Sequence, residues 1–496
     1  MKSANRVFLI LISAAILLIQ TGCKKDAHIR PNILFAIADD WGWPHAGAYG
    51  DSVVQTPAFD RVAQEGILFN HAYISSPSCT PSRNAILTGQ YHWRLGPGAS
   101  LWSTLDETTP VYPILLEQAG YHVGFWRKSW GPGKLDNWER HPAGKQYKEG
   151  FEEFLADRPE NTPFCFWLGA SDPHRGYDEG SGIRSGIDSE RIRLFKCFPD
   201  DPIVRSDVAD YYFEVQRFDS DVAKAIEILE ERGELENTII VVTGDNGMPF
   251  PRCKANLYDS GSRVPLAVRW GSGIKNPDRI LEDFISLSDL APTFLEMAGV
   301  TIPAEMTGKS MASLILSEKE GFVEPENRSF VLYGKERHVP GQEVTMEGYP
   351  CRAIRNHDFL YIRNFKPELW PAGTPDYNKA AIEDCWIGDC DNGPTKTYMT
   401  GNRYKDEHHE HLWDLAFGKR PAEELYDCLK DPEQLVNLAE DPEYAEIRES
   451  LSNQLMEQLE LTGDPRATGD WQEIDGYPYY GGGPKHPSSR NNPDNR

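Results

Sequence analysis

An α/β fold built on a mostly parallel central sheet is what the sequence predicts, on three observations. Ile33 to Ala38 is an unbroken apolar run of strand length, and its lack of alternation marks a strand buried on both faces. Helix and strand signals then alternate along the N-terminal part of the chain, the pattern of βα units. Finally, the longest helical pattern, Val208 to Arg232, leads into a β-rich run, Thr238 to Val242, that ends in the turn-forming Gly244-Asp245-Asn246-Gly247.

The elements can be justified in order. The run Ile33 to Ala38 ends on Asp39-Asp40. Thr56-Pro57 supplies an N-cap and a first-turn proline for a short helix that turns Phe59, Val62 and Ala63 inward and stops at Gly66. Thr109-Pro110 repeats that grammar ahead of Leu115, Leu116 and Ala119. Strands are expected at Tyr121 to Phe125 and Phe164 to Leu168. Along the long helix Val208, Tyr211, Val215, Phe218, Val222, Ile226 and Leu229 recur every three or four residues, and Gly233 caps it. Asp39-Asp40 and Asp245-Asn246 thus both sit at C-terminal strand ends, the edge where open α/β sheets bind ligands.

Past Asn327 the texture changes, and a smaller α+β unit is expected. Its strands are Phe330 to Tyr333 and Phe359 to Ile362, its helix Pro442 to Leu461, and the polar stretch Glu368 to His411 reads as long loops. From Gly463 the chain is rich in Gly, Pro, Asn and aromatics and reads as an irregular tail. The expected organisation is a leader at 1–23, a catalytic domain at 28–327, a C-terminal subdomain at 328–462 and the tail at 463–496.

The 76 acidic and 51 basic side chains give a net charge of -25, which repels nucleic acid and equally any polyanionic substrate. A pocket for an anion in such a chain needs its own positive cluster. The first residues read as an export signal, with Lys2 and Arg6 ahead of an apolar run from Val7 to Ile19 that is short for a membrane span. Thr21-Gly22-Cys23 resembles a lipobox in which Cys23 is lipidated, although Gln20 departs from the usual aliphatic residue. Lys24-Lys25-Asp26 resembles a surface-export signal, so periplasm or outer-membrane surface is the expected location. Cys385 and Cys390 are a candidate disulfide pair.

Cys79-Thr80-Pro81-Ser82-Arg83, followed by Leu87-Thr88-Gly89, resembles the signature of the type I sulfatases of the alkaline phosphatase superfamily. That resemblance implies a cysteine oxidised to formylglycine by a maturation enzyme. In the hydrated aldehyde one hydroxyl attacks sulfur and the other later expels sulfate, so no water need attack a hindered ester. It also implies an alkaline-phosphatase-like large domain with a small antiparallel sheet and helix behind it.

The resemblance assigns Asp39, Asp40, Asp245 and Asn246 as metal ligands. Four hard oxygen donors suit Ca²⁺, and next Mg²⁺, and suit zinc poorly. Arg83 would orient the formylglycine hydroxyl, Lys128 and Lys254 would bind sulfate, and His174 in Asp172-Pro173-His174-Arg175 would meet the leaving-group atom. Arg127 stands where the family has glycine and Trp130 where it has a histidine, which leaves the regeneration base unassigned. Asp245 to Pro251, Asn256 to Tyr258 and Glu343 to Met346 resemble the N-sulfoglucosamine sulfohydrolase branch, making Arg337, His338 and Glu343 candidates for sugar recognition. Glu424-Leu425-Tyr426-Asp427 resembles the end of sulfatase C-terminal subdomains.

The expected function is exo-acting hydrolysis of a sulfate ester or sulfamate from a sulfated glycan. Three alternatives stay open: an O-sulfatase of a marine or host polysaccharide, a phosphonate or phosphodiester hydrolase of the same superfamily, and a glycan-binding lipoprotein with a decayed site.

Overall fold

The structure is a computed structural model and describes residues 30–469 and 471–489; Cys23 and the leader lie outside them. The central sheet consists of β1 (Asn32–Ala38), β2 (Ile67–Tyr73), β3 (His122–Arg127), β4 (Lys145–Gln146), β5 (Phe164–Gly169), β6 (Thr238–Gly244), β7 (Leu266–Arg269) and β8 (Arg279–Ser286). Their order is β4-β3-β5-β1-β6-β7-β2-β8, and every pairing is parallel except the two made by β7. All seven residues of β1 are buried, as the unbroken apolar run requires of a strand covered on both faces.

One cluster packs Leu34, Ala36 and Leu168 beneath the long helix Pro202–Glu231; another packs Ile33, Phe35 and Val241 against Phe294 on the opposite face. The second sheet is antiparallel, in the order β12-β11-β10-β9, from β9 (Phe330–Lys335), β10 (Cys351–Asn356), β11 (Phe359–Asn364) and β12 (Glu423–Asp427). The helix Ala445–Leu461 covers one of its faces through Leu451, Leu455 and Leu459.

Several local expectations need correction. The long helix starts at Pro202 rather than Val208, because Asp201 caps it by accepting from the Ile203 amide and Pro202 occupies the first turn. Thr109-Pro110 opens no helix; that helix is Tyr112–Gln118, with Pro113 in its first turn. Thr56 does precede the helix Pro57–Gln64, but its hydroxyl does not cap it. The amides of Ala58 and Phe59 are satisfied instead by Asp219, reaching across from the long helix at 2.9 and 2.8 Å. The stretch 368–411 is not all loop, since it holds the helix Pro394–Gly401 and the start of Glu407–Phe417, capped by Asp406. Cys385 and Cys390 are both free thiols.

The C-terminal segment is ordered by close approach. Tyr480 N donates to Trp102 O, and Trp386 N to Pro484 O. A Cβ at Gly481 would lie 2.3 Å from the Trp102 ring, and one at Gly483 would lie 2.5 Å from Cys385 Sγ, so this path requires glycine at both positions. A buried ion network anchors the same region: Arg352 on β10 pairs with Asp464 and Glu336 at 2.5 Å each, and Arg466 pairs with Glu336 at 2.7 Å. Burial raises the Glu336 pKa, but Arg352 and Arg466 outweigh it and hold the carboxyl at about 2. A depressed carboxyl contributes stability above its unfolded pKa near 4.5 and loses it as pH falls through about 2. Arg352→Ala is expected to cost about 3–5 kcal/mol in urea unfolding at pH 7. That cost should shrink as pH falls from 4.5 toward 2, and a cost independent of pH would contradict the role given to Glu336.

Candidate active site

The register of the sheet builds the site. β1 and β6 are adjacent and parallel, with Ala38 opposite Gly244, so the residues that follow them, Asp39-Asp40 and Asp245-Asn246, emerge side by side at the C-terminal edge. Asp40 takes a left-handed backbone (φ 72°), a conformation that aspartate tolerates better than most residues. Its amide donates to Asp245 Oδ1 at 2.9 Å. Cys79 opens the helix Cys79–Thr88, which points its N-terminus at the same edge.

The four acidic and amide side chains surround Cys79. Its Sγ lies 3.3 Å from Asp39 Oδ1, 3.8 Å from Asp40 Oδ1 and 3.8 Å from Asn246 Nδ2. Asn246 Nδ2 donates to Asp245 Oδ1 at 2.6 Å, while Asn246 Oδ1 is buried with no hydrogen-bond partner. Arg83, one turn along the helix and fully buried, donates from Nε to Asp245 Oδ2 at 2.7 Å and from Nη1 to Lys128 O at 2.6 Å. Lys128, just beyond β3, pairs with Asp39 Oδ2 at 2.5 Å. Lys254 pairs with Asp40 Oδ2 at 2.7 Å and with Asp391 Oδ2 at 3.1 Å. His174, beyond β5, has Nε2 3.8 Å from Asp40 Oδ2 and Nδ1 2.5 Å from Arg175 O.

The electrostatics follow from this packing. Burial raises the Asp39 carboxyl, but Lys128, His174, Arg83 and Lys254 together outweigh it and hold it well below the usual carboxylate range. Asp40 is pushed up to about 6 by burial, which Lys254 and His174 only partly offset against repulsion from Asp39 and Asp245. Burial, then the Asp39 charge, pushes the Cys79 thiol well above its ordinary value, so the side chain as cysteine is a poor source of thiolate.

Could this donor set hold a divalent cation? One ligand atom each from Asp39, Asp40, Cys79 and Asp245 lies within 4.8 Å of the others. Arg83, Lys128 and Lys254 supply three positive charges against the four of Asp39, Asp40, Asp245 and Asp391. A bound dianion would deepen that deficit. The orphaned Asn246 Oδ1 and the excess of hard carboxylate oxygens both fit a divalent cation of the Ca²⁺ or Mg²⁺ type.

These groups open into a cleft of about 1060 Å³ lined by Asp39, Cys79, Lys128, His174, Lys254 and His338, among others. The remaining sequence candidates part company here. His338, just past β9, lines the cleft and shares a 2.8 Å hydrogen bond between its Nδ1 and Ser78 Oγ. Burial lowers its pKa to about 4, so it is neutral at pH 7. Arg337 and Glu343 do not line the cleft. Arg337 Nη2 donates to the carbonyls of Tyr477 and Pro478 in the C-terminal segment, and Glu343 is exposed and accepts from Thr374 Oγ1. Trp130 lines the cleft with its Nε1 donating to Asn84 Oδ1 at 2.6 Å, so no imidazole stands at that position.

Sequence reasoning missed the far wall of the cleft. Trp102 lines it from a segment given no reading, Gly388, Asp391 and Asn392 from the stretch read as loops, and Gly482 to Pro484 from the tail. The Gly481-Gly482-Gly483 run is the signal that could have found it, since a side chain at Gly481 or Gly483 would clash.

With the geometry in hand, comparison with known proteins places the chain. The Sulfatase family model matches residues 31–300, more than half of the 496 residues. A second, described as N-sulphoglucosamine sulphohydrolase, C-terminal, matches residues 253–367. This chain belongs to the sulfatase family, whose members hydrolyse sulfuric esters or sulfamates. Human N-sulphoglucosamine sulphohydrolase is 29% identical over 91% of this chain and 93% of its own. An ulvan-active sulfatase of Formosa agariphila is 26% identical over 88% of this chain and 76% of its own. Among solved structures, one in complex with its substrate D-glucosamine-2-N,6-O-disulfate superposes with a TM-score of 0.61 at 21% identity, covering 88% of this chain and 98% of that one.

Proposed function

We propose that this protein hydrolyses a sulfate ester or sulfamate on a sulfated saccharide, through a formylglycine formed at Cys79 by a maturation enzyme and with a divalent cation, Ca²⁺ before Mg²⁺. The observation that carries the reading is the convergence on Cys79 Sγ of Asp39, Asp40 and Asn246, with Lys128 and Lys254 each one ion pair away. Asp39, Asp40, Asp245 and Asn246 would hold the cation, which when bound supplies Lewis-acid stabilisation of charge on the sulfate oxygens and the nucleophile. The hydrated aldehyde supplies an oxygen nucleophile where a buried thiol could not.

The chain's own residues position and protonate. Lys128 and Lys254 face the cleft as the local positive cluster that a chain of net charge -25 needs around an anion. Arg83 is fully engaged with Asp245, Lys128 O and Ala38 O, so it fixes the ligand pair and the lysine backbone in register. His174 Nδ1–H donates to Arg175 O, which turns Nε2 into the cleft. Nε2 then carries a proton only in the imidazolium form, and that form can hand it to the departing oxygen or nitrogen. His174→Ala is therefore expected to lower kcat roughly 10²–10⁴-fold on a sulfated sugar and far less on 4-nitrophenyl sulfate, whose phenolate leaves without a proton. Equal losses on both would remove His174 from the proton transfer.

Human N-sulphoglucosamine sulphohydrolase and the C-terminal family model favour an N-sulfated glucosamine as the first substrate to try. The Formosa relative, at similar identity, favours including O-sulfated polysaccharides. We further propose export as a lipoprotein anchored through Cys23, on the strength of Thr21-Gly22-Cys23. One experiment tests these together: peptide mass spectrometry across Cys79 and Cys23 of protein from its native host, paired with sulfate release from N- and O-sulfated sugars. The aldehyde mass with released sulfate supports the enzyme; unmodified Cys79 and no sulfate would overturn it.

A further inference from the structure

Asp391 is a carboxylate in the wall of a cleft that takes an anion; its charge adds to the negative surplus beside the cation site, but neither the family signature nor the ligand set Asp39, Asp40, Asp245 and Asn246 uses it. It belongs to a segment with no helical or strand periodicity and reaches Lys254 across 137 positions of sequence. Lys254 Nζ donates to its Oδ2 at 3.1 Å, the one side-chain hydrogen bond to Asp391 among the described residues. Ligand atoms of Asp391, His174 and Asp40 all lie within 4.8 Å of one another. A carboxylate in that position repels a sulfate unless a hydrogen-bond donor on the substrate comes between them. Without such a donor, an unpaired acceptor in the wall costs binding.

The segment that presents it is held rigidly. Lys396, buried in the helix Pro394–Gly401, sends its ammonium back into the preceding loop. There it donates to Cys390 O at 2.7 Å, Trp386 O at 2.8 Å, Asn392 Oδ1 at 2.9 Å and Ile387 O at 3.2 Å. Four acceptors gathered on one internal cation fix residues 386–392 much as a bound ion would. Asp391 therefore meets the substrate with its ordering already complete.

Resting on the sulfatase reading above, we infer that Asp391 determines specificity. It accepts a hydrogen bond from a sugar hydroxyl or N–H beside the leaving atom that His174 meets, and Lys396 positions it. The enzyme thereby favours saccharides carrying a free donor next to the sulfated position over sulfates that lack one. An acceptor that the bound substrate covers discriminates strongly, because an analogue without the donor leaves it unpaired.

The test compares kcat/KM for the best sulfated glucosamine of the panel with that for 4-nitrophenyl sulfate, which has no donor, in formylglycine-bearing wild type, Asp391→Asn and Lys396→Met. Asn keeps an acceptor for Lys254, so the cation that binds sulfate stays supported. The saccharide-to-aryl ratio is expected to fall roughly 10- to 100-fold in Asp391→Asn, mainly through KM, and to fall in the same direction in Lys396→Met. A ratio within about twofold of wild type in Asp391→Asn, or equal losses on both substrates, would overturn the inference and leave Asp391 as a support for Lys254. Wild type that cleaves the aryl sulfate but no sugar would overturn it too. Failure of wild type on both substrates sinks the sulfatase reading itself, a distinct outcome. Thermal melts of Lys396→Met show whether the chain still folds, and Asp391→Asn decides the matter if it does not.

Discussion

Cys79→Ala is expected to lower kcat for sulfate release by about 10⁵- to 10⁶-fold, the scale of removing a nucleophile that acts as a unit with its neighbours. The physical reason is the surroundings of that one atom. Cys79 is buried to 2% exposure between carboxylates, which hold an unconverted thiol well above its ordinary pKa, and the alanine variant and the unconverted wild type should be equally inactive. The substitution removes a single buried sulfur and leaves the helix Cys79–Thr88 with a better helix former, so the melting temperature should move by only a few degrees. Activity is measured as sulfate release, with peptide mass spectrometry reporting the aldehyde fraction of each preparation. Wild-type turnover from protein whose Cys79 peptide carries no aldehyde would contradict the assignment.

How much of this site could be read from the chain depended on where each residue's signal came from. Asp39, Asp40, Asp245 and Asn246 were assigned by family resemblance, with support from the apolar strand that each pair ends, and parallel neighbours β1 and β6 bring those ends together. Arg83 also came from the resemblance, and the helix Cys79–Thr88 places it four positions on over the same face as Cys79. Lys128 and Lys254 needed family resemblance, since one lysine past a strand looks like any solvated lysine. Asp391 gave no signal at all, because it is recruited by Lys396, whose burial among backbone carbonyls leaves no periodic trace. The same physics explains the error at 368–411, where helix-forming and turn-forming residues alternate too quickly for a hydrophobic stripe to show. Arg337 misled in the opposite sense, since a buried arginine near a cleft can serve the chain's own carbonyls as readily as a substrate.

Stripping divalent cations is expected to abolish activity by about 10³-fold or more and to lower the melting temperature, with Ca²⁺ restoring both and Mg²⁺ restoring less. The argument starts from charge. Asp39, Asp40 and Asp245 crowd a space where Asn246 Oδ1 is buried unpaired, and with Asp391 they make four carboxylates against the three cations Arg83, Lys128 and Lys254. In a chelated sample that repulsion is relieved only by protonation or by local opening of the strand ends, so stability as well as catalysis should depend on the ion. Calorimetric titration of Ca²⁺ into chelated protein separates the two effects: it should show a single site, and Asp245→Asn should weaken it. Because Asp245 also anchors Arg83, that variant should lose activity even at saturating Ca²⁺, whereas Asp39→Asn should recover part of it. Chelated protein that melts where the untreated enzyme does, and takes up no Ca²⁺ in the calorimeter, would show that these carboxylates are balanced by the chain alone.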